Sequence, residues 1–354
     1  MGADPLRQAE ARRHARAQRR IAYCESAASL AALIAVVIAA GRLGGIGSLT
    51  TLAVCPLLVS LPFGLASHRL SRAVGLSRQS CPQWLVDRAK GAAVGLVLGG
   101  TGAASVIAAQ RLDDRLWPVY VAVGALVLSA VLALAFPVIL LPLFLRSEPL
   151  GEGPLAEALR QTVERSGVAV RELRVLHLGE KTSAGNAMVA GLGPTRRIYV
   201  GDTLSSGAGE ERIDETCVVL AHELGHHVAG DPWRLLAWSA VPIGAGAIGA
   251  AFAVDRLAPH GAGRLDALPA LVLGFTVAAA LAGPLGAWYS RRRERVADAY
   301  AIRVTGRGEV YARALERLAA QNLGELWPPR IQHALTASHP PLGERIARAR
   351  KGTG

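Results

Sequence analysis

The sequence predicts an α-helical multi-pass membrane protein with about six spans and a small cytoplasmic α+β unit. Hydrophobic residues make up 51% of its 354 residues and charged residues only 19%, which is typical of membrane proteins and unusual for a soluble domain. Long apolar runs alternate with short polar loops, and two longer polar regions carry helix and strand patterns. We expect a basic leader and four spans in residues 1–146, and a second unit with two further spans in residues 147–354.

The spans are predicted from the lengths of the apolar runs, because a helix needs roughly 20 apolar residues to cross a bilayer. Six runs are long enough, at about residues 24–41, 46–67, 91–110, 117–145, 235–254 and 268–290. The fourth run contains Pro118, Pro137 and Pro142, so we expect a kinked or tilted helix there. The first run follows a long basic leader, which favours an uncleaved signal anchor over a cleaved signal peptide.

The distribution of arginine predicts the orientation of the spans. Residues 7–20 contain six arginines, and the loop at 68–90 contains four arginines and a lysine, whereas the loops at 111–115 and 255–266 are charge-balanced. The positive-inside rule therefore places both termini and the segment 146–234 in the cytoplasm, with the spans in the cell membrane. A nucleic-acid-binding arm is the alternative for the basic leader, but its position beside a span favours topology, and we expect no nucleic-acid partner.

Two polar regions, about 147–234 and 291–354, remain for the α+β unit. The first shows helical spacing of apolar residues at 153–167, a short extended run at 173–178, and two extended runs around a Gly-Pro turn at 185–201. Further helices are predicted for the rest of these regions, at 209–229, about 291–305, 308–322 and 341–350. We expect the two regions to fold together across spans five and six.

The helix predicted at 209–229 carries the pattern H-E-x-x-H, at His222, Glu223 and His226. Residues four apart lie on one face of a helix, so both imidazoles point to one place, and a neutral imidazole is a preferred zinc ligand. Glu223 is offset by one position, where its carboxylate can accept a proton from a water molecule. His227 points about 100° away from His226 and is interpreted as a surface or supporting residue. An accidental or structural histidine cluster is the alternative.

A catalytic zinc site needs a third protein ligand, and an acidic pair just after span six is the best candidate. Glu294 and Asp298 lie four apart on a predicted helix. Glu294 would complete a site for one Zn²⁺ per chain, and Asp298 would accept the free ring N–H of a ligand histidine. Pairing of both carboxylates with the arginines at 291–295 is the alternative. The predicted topology favours the zinc site, because it puts this pair on the same membrane face as His222.

These motifs resemble the integral-membrane zinc metallopeptidases that include CAAX prenyl protease type I and the HtpX heat-shock proteases. "HELGH" (222–226) is followed, two spans later, by "ERVAD" (294–298). "NAMVAGLGPTRRIYVGDTL" (186–204) and "SHPPLGERI" (338–346) are similar to two further motifs of that family and occur in the same order. The resemblance covers about residues 186–346 and implies that the α+β unit is a zinc-peptidase unit.

The resemblance also implies a role for each matched residue. Zinc would be held by the two histidines of HELGH and by Glu294, with Glu223 as the general base of an endopeptidase. Asn186 and Ala187 would lie on an edge strand that pairs with substrate backbone; a turn residue is the alternative for Asn186.

Two residues near the C-terminus are matched in the same way. His339 would stabilise an oxyanion or orient a neighbour, and Arg345 would lie behind the metal ligands. A capping histidine before Pro-Pro and a solvated arginine are the alternatives.

Three other functions fit the sequence less well than a peptidase acting on peptides or membrane proteins in a lipid bilayer. A metallopeptidase-type signal transducer would need a ligand-binding domain outside the membrane, and the outer loops are too short. A transporter or scaffold would carry ionisable residues inside its spans, and the six runs have few. A site-2-type intramembrane protease would bury HELGH within a span, whereas here the motif precedes span five. Abundant Ala, Gly and Arg favour a bacterial source. A role in membrane-protein quality control is therefore favoured, and the processing of prenylated proteins is the less favoured role.

Overall fold

The computed structural model describes residues 4–205 and 209–352. Residues 1–3 of the first predicted unit, and residues 206–208 and 353–354 of the second, lie outside the described residues. Over this part of the chain, five helical segments are long and apolar enough to cross a membrane: Pro5–Ala73, Cys81–Leu112, Trp117–Phe144, Asp231–Leu257 and Leu265–Thr305. The helices in the first three segments are α1 (Pro5–Ala73), α2 (Cys81–Leu112), α3 (Trp117–Ala135) and α4 (Leu141–Phe144). The prediction of a multi-pass helical membrane protein is confirmed.

Helix α1 covers the first two predicted spans because it folds back on itself. Gly44 has φ 65° and ψ −176°, which breaks the helix at that residue. The Gln18 side chain donates hydrogen bonds to Ser67 O at 3.4 Å and to Ser71 Oγ at 3.0 Å. A straight helix would separate residues 18 and 71 by about 80 Å, so these bonds require a helical hairpin. The six predicted spans therefore correspond to five segments, the first of which is this hairpin.

The fourth predicted span is irregular around two of its three prolines, Pro137 and Pro142. A π-helical turn at Phe136–Leu140 joins α3 to α4, and Leu141 N–H donates to Phe136 O. With the same five-residue spacing, residue 142 would donate its N–H to Pro137 O. Residue 142 is a proline and has no N–H, so it cannot supply this hydrogen bond. The hydroxyl of Tyr199 donates to Pro137 O instead, at 2.9 Å. This bond also ties the membrane segment to the sheet that contains Tyr199.

In the described residues, the sheet has the strand order β1-β2-β4-β3. The strands are β1 (Ser147–Pro149), β2 (Glu172–Leu176), β3 (Ala187–Ala190) and β4 (Arg197–Gly201). Strands β2 and β4 are parallel, and the other two pairs are antiparallel. Strand β3 is therefore an edge strand, and its partner β4 is buried along four of its five residues.

The remaining helices pack on this sheet or continue into the membrane. They are α5 (Pro154–Ser166), α6 (Asp202–Ser205), α7 (Glu210–Val228), α8 (Asp231–Trp238), α9 (Ala240–Leu257), α10 (Leu268–Thr305), α11 (Gly308–Gln321), α12 (Arg330–Thr336) and α13 (Leu342–Lys351). The main hydrophobic core joins Leu159 of α5, Ile198 of β4, Leu220 of α7, Leu315 of α11 and Ile346 of α13. Residues from before and after the α9–α10 hairpin thus share one core.

Glycines let α9 and α10 cross closely inside the hairpin. A Cβ atom added at Gly274 would lie 2.1 Å from Gly249 O, and one added at Gly246 would lie 2.4 Å from the ring of Phe275. Small residues at such a crossing allow helices to pack backbone against backbone in a membrane. The close crossing fixes the direction of α10, which runs on from its apolar part to Thr305 and carries the ERVAD segment to α7.

Candidate active site

The site is built where α7 meets α10 at Gly225. A Cβ atom added at Gly225 would lie 3.0 Å from the ring of Tyr300 and 3.2 Å from Ala297 Cα. Ala297 is completely buried at this contact. Because Glu294 and Asp298 lie three residues before and one residue after Ala297, the close approach brings both carboxylates to the histidines of α7.

We therefore expect replacement of Gly225 by alanine to destabilise the fold by about 1–3 kcal/mol, because the neighbouring backbone of α10 cannot move away freely. The matched control is Gly283→Ala on α10, where an added Cβ meets nothing within 4 Å. Alanine there should stabilise the helix by up to about 1 kcal/mol. Thermal unfolding of both purified variants measures the difference. Equal stability of the two variants would show that the α7–α10 contact tolerates a methyl group.

The structure brings His222, His226 and Glu294 together. One ligand atom from each lies within 4.8 Å of the others. His222 Nε2 is 3.4 Å from Glu294 Oε2, and His226 Nε2 is 3.3 Å from Glu294 Oε1. Glu294 Oε2 is buried and makes no hydrogen bond to any described residue. This arrangement fits a metal ion, because two imidazoles and a carboxylate converge and one buried carboxylate oxygen has no other partner. Three protein ligands leave the fourth position of a tetrahedral metal site open.

The other nitrogen of each histidine faces a second carboxylate. His222 Nδ1 lies 2.9 Å from Asp298 Oδ1, and His226 Nδ1 lies 2.8 Å from Asp231 Oδ2. An imidazole that donates through Nδ1 keeps the lone pair of Nε2 free for a metal, so both rings are oriented towards the common point. In the metal-free protein, burial lowers the pKa of His222, but the adjacent carboxylates of Asp298 and Glu294 outweigh it and raise the pKa to about 9.

Arg345 and Tyr311 fix the position of Asp298. Arg345 donates to both Asp298 oxygens, at 2.7 and 3.0 Å, and Tyr311 donates to Oδ1 at 2.6 Å. Arg345 is 8% exposed, so it is a buried and paired arginine rather than a solvated one. Burial raises the pKa of Tyr311 well above its ordinary value, which keeps the hydroxyl protonated and able to donate.

Glu223 and His339 lie beside the cluster of His222, His226 and Glu294. Burial raises the pKa of Glu223 above its ordinary value, while the neighbouring His222 and His226 act in the opposite direction. His339 Nε2 is 3.3 Å from Glu294 Oε1, and the His339 side chain is 59% exposed. A base with a raised pKa and an accessible imidazole beside the same carboxylate are suited to proton transfer and to hydrogen bonding of a substrate.

His227 lies against the edge strand rather than at the open surface. Its Nε2 is 3.4 Å from Val189 O, and its side chain is partly buried. Burial, followed by the charge of Arg196, lowers the pKa of His227 to about 4. The ring is therefore neutral at physiological pH and fills the space between α7 and β3.

Asn186 and Ala187 differ in their places on the sheet. Asn186 precedes β3 and is exposed, and its carbonyl accepts a hydrogen bond from Gly201 N at 2.9 Å. Backbone groups of successive strand residues point to opposite sides, so the N–H and C=O of Ala187 point away from β4 to the free edge. Two residues further along the same edge, Val189 O is contacted by His227 of α7.

Two residues of the site, Asp231 and Tyr311, could not be found by the sequence reasoning. Asp231 stands in "GDP", between the predicted helix at 209–229 and span five, where the sequence resembles a connecting turn, and Tyr311 has the spacing of a core residue in an amphipathic helix. An aspartate placed just after the helix-ending Gly230 was the one available signal. Glu211 and Glu215 are two further carboxylates of α7, and they pair with Arg313 and Arg317.

Comparisons with known proteins identify the family of the chain. Residues 149–353 match the model of peptidase family M48, and residues 11–146 match a model described as CAAX prenyl protease N-terminal, five membrane helices. The chain belongs to peptidase family M48. The resemblance inferred from HELGH and ERVAD is thereby confirmed, and the protein is a membrane-embedded metalloprotease. A transporter or scaffold is not favoured.

Several relatives extend over most of the chain. The uncharacterized metalloprotease YhfN of Bacillus subtilis is 26% identical over 318 residues, which cover 86% of this chain and 73% of YhfN. A CAAX prenyl protease 1 homolog of Arabidopsis thaliana is 28% identical over 306 residues, which cover 82% and 69%. The crystal structure of S. mikatae Ste24p has the same fold, with a TM-score of 0.81, 21% identity, and coverage of 97% of this chain and 88% of that one.

Proposed function

We propose that this M48 metallopeptidase is a zinc-dependent endopeptidase, with one Zn²⁺ per chain held by His222, His226 and Glu294. The observation that carries the proposal is the convergence of two Nε2 atoms on one buried carboxylate, with a further carboxylate behind each ring. This donor set is the one used by catalytic zinc sites with three protein ligands. When bound, the ion supplies activation of water and polarisation of the scissile carbonyl.

The residues around this point would carry the proton transfers. Glu223 takes a proton from the attacking water and passes it to the leaving amine, and its raised pKa makes the carboxylate a better base than an ordinary glutamate. His339, exposed beside Glu294, donates a hydrogen bond to the oxyanion that develops on the substrate. Arg345 and Asp298 hold the ring of His222 in place.

The direct test combines metal analysis with cleavage of an unstructured reporter such as casein by the purified protein. We expect about one zinc ion per chain, loss of cleavage after treatment with a chelator, and recovery on addition of zinc. Cleavage that survives complete removal of the metal would rule the proposal out.

The substrate would bind as an additional strand beside β3. The outward-facing backbone of Ala187 offers one donor and one acceptor to an extended peptide, next to the helix that carries HELGH. A strand added at this edge would run past α7 and place a peptide bond at the cluster. We propose unfolded or membrane-bound proteins as the substrates, in a quality-control role.

Replacement of Ala187 by proline should raise KM while leaving zinc bound, because proline removes the outward N–H without touching a metal ligand. Asn186→Asp should also weaken substrate binding, since it adds a charge at the entrance to the strand. Casein kinetics and zinc content measured on both variants test this expectation. Unchanged KM and kcat in both variants would mean that β3 has a structural role alone.

We propose that the site faces the cytoplasm and that both termini lie on that side. Reporter fusions after residues 90, 205 and 354 should give cytoplasmic signals, and fusions at about 113 and 261 should give external signals, because arginine is concentrated in the first set of segments. An external signal at position 205 would contradict this orientation.

A further inference from the structure

Asp231 is the buried carboxylate behind His226, and the proton transfers proposed above assign it no step. It is 1% exposed and is the first residue of α8. Its Oδ2 accepts from His226 Nδ1 at 2.8 Å, and its Oδ1 accepts from Arg293 Nε. A buried carboxylate is costly unless its oxygens are paired, and here each oxygen has a partner of its own.

The chain reverses at Gly230 to bring this carboxylate to the ring. Gly230 has φ 68°, a left-handed conformation that glycine adopts without strain, and α8 starts at the next residue. Asp231 therefore returns to a histidine five residues before it. Arg293, its second partner, immediately precedes Glu294 on α10. One side chain thus connects the helix that carries the histidines with the helix that carries the glutamate.

The two histidines depend on different supports. The Nδ1 side of His222 is surrounded by Asp298, Tyr311 and Arg345, and its side chain is 7% exposed. The side chain of His226 is 20% exposed and is held on its Nδ1 side by Asp231. Without Asp231, the ring of His226 would be free to adopt the other tautomer or to turn towards solvent.

We propose that Asp231 is a positioning residue that holds His226 as its Nδ1–H tautomer with Nε2 directed at the metal position, and that Arg293 fixes Asp231 for this purpose. The proposal rests on the proposed zinc-peptidase function. It adds a second carboxylate–histidine pair to the one that Asp298 forms. Asp231 of α8 thereby bridges the two ligand-bearing helices, through its contacts with His226 of α7 and Arg293 of α10.

The test uses the full-length protein with Asp231→Asn, Arg293→Gln and the double variant. Asparagine keeps the shape of the side chain but loses the charge, so zinc affinity measured by chelator competition should fall roughly 10- to 100-fold. Arg293→Gln should weaken zinc binding by a smaller factor. The double variant removes the unpaired arginine, so its thermal stability should exceed that of Asp231→Asn while its zinc affinity stays low.

The matched control is Asp266→Asn. Asp266 is also 1% exposed, and its Oδ2 lies 2.7 Å from His260 Nδ1 in the loop between α9 and α10. This variant changes an equally buried aspartate whose histidine partner, His260, lies away from the cluster and is exposed, so its zinc affinity should equal that of the wild type. Unchanged zinc affinity in Asp231→Asn, or an equal loss in Asp266→Asn, would overturn the proposal.

A second measurement does not depend on zinc. The ¹⁵N resonances of His226 in the metal-free protein, recorded at a pH at which the ring is neutral and assigned with a His226→Gln variant, should show the Nδ1–H tautomer in the wild type and a mixture of tautomers in Asp231→Asn. Identical resonances in the two proteins would contradict the assigned role. If the wild type binds no zinc but the resonances change as expected, the zinc proposal fails and the contact between Asp231 and His226 stands.

Discussion

Replacement of Glu223 by glutamine is expected to leave about one zinc ion per chain in place while turnover falls by roughly 10²-fold or more. Glutamine keeps the size of the side chain but cannot accept a proton. The three converging ligand atoms belong to His222, His226 and Glu294, so the change removes none of them. Zinc content and casein kinetics, measured on the same preparation of the variant, separate loss of the base from loss of the metal.

The matched control is Glu211→Gln on the same helix. Glu211 is 69% exposed and pairs with Arg313 at the surface, so this variant should keep both zinc and turnover. The raised pKa of Glu223 adds a pH dependence: the base is lost by protonation at a higher pH than for an ordinary glutamate, so activity should fall on acidification before other carboxylates titrate. Full turnover in Glu223→Gln would exclude this residue as the base.

The helices and the metal-binding pattern could be predicted because they depend on local periodicity. Residues four apart share a helix face whatever the rest of the chain does, which is why His222 with His226, and Glu294 with Asp298, could be paired from sequence. The apolar runs were found in the same way, from their length alone. Placing the two pairs together needed one long-range argument. The histidine pair precedes spans five and six and the acidic pair follows them, so both pairs lie on the same side of the membrane.

Tertiary contacts account for what the sequence did not provide. The approach of Asp231 to His226 depends on the direction in which the chain leaves Gly230, and that direction is set by packing of α8. The position of Tyr311 depends on how α11 meets α7, because its ring belongs to the core while its hydroxyl reaches Asp298. The edge position of β3 could be expected only from the family resemblance, because strand order is not encoded in a single strand. Such contacts leave no periodic pattern in the sequence from which they could be predicted.

Replacement of Glu294 by alanine is expected to remove zinc from the protein or to weaken its binding greatly, with loss of activity and of some stability. The reason is geometric: both Nε2 atoms lie within 3.4 Å of Glu294 oxygens, so deletion of the carboxylate removes the group on which the histidines converge. Asp298→Ala should be intermediate, with roughly 10- to 100-fold loss of metal affinity or activity, because its carboxylate contacts the far nitrogen of His222.

Metal analysis of Glu223→Gln, Asp298→Ala and Glu294→Ala, purified in parallel, should therefore give zinc contents in descending order. Glu294→Gln is the companion variant, since it keeps the side-chain volume and removes the charge; it too should bind zinc weakly. If Glu294→Ala kept full zinc and full activity, the third ligand would lie elsewhere. His339 would then be the first residue to replace, because its Nε2 lies 3.3 Å from Glu294 Oε1, whereas Glu211 and Glu215 are paired with Arg313 and Arg317.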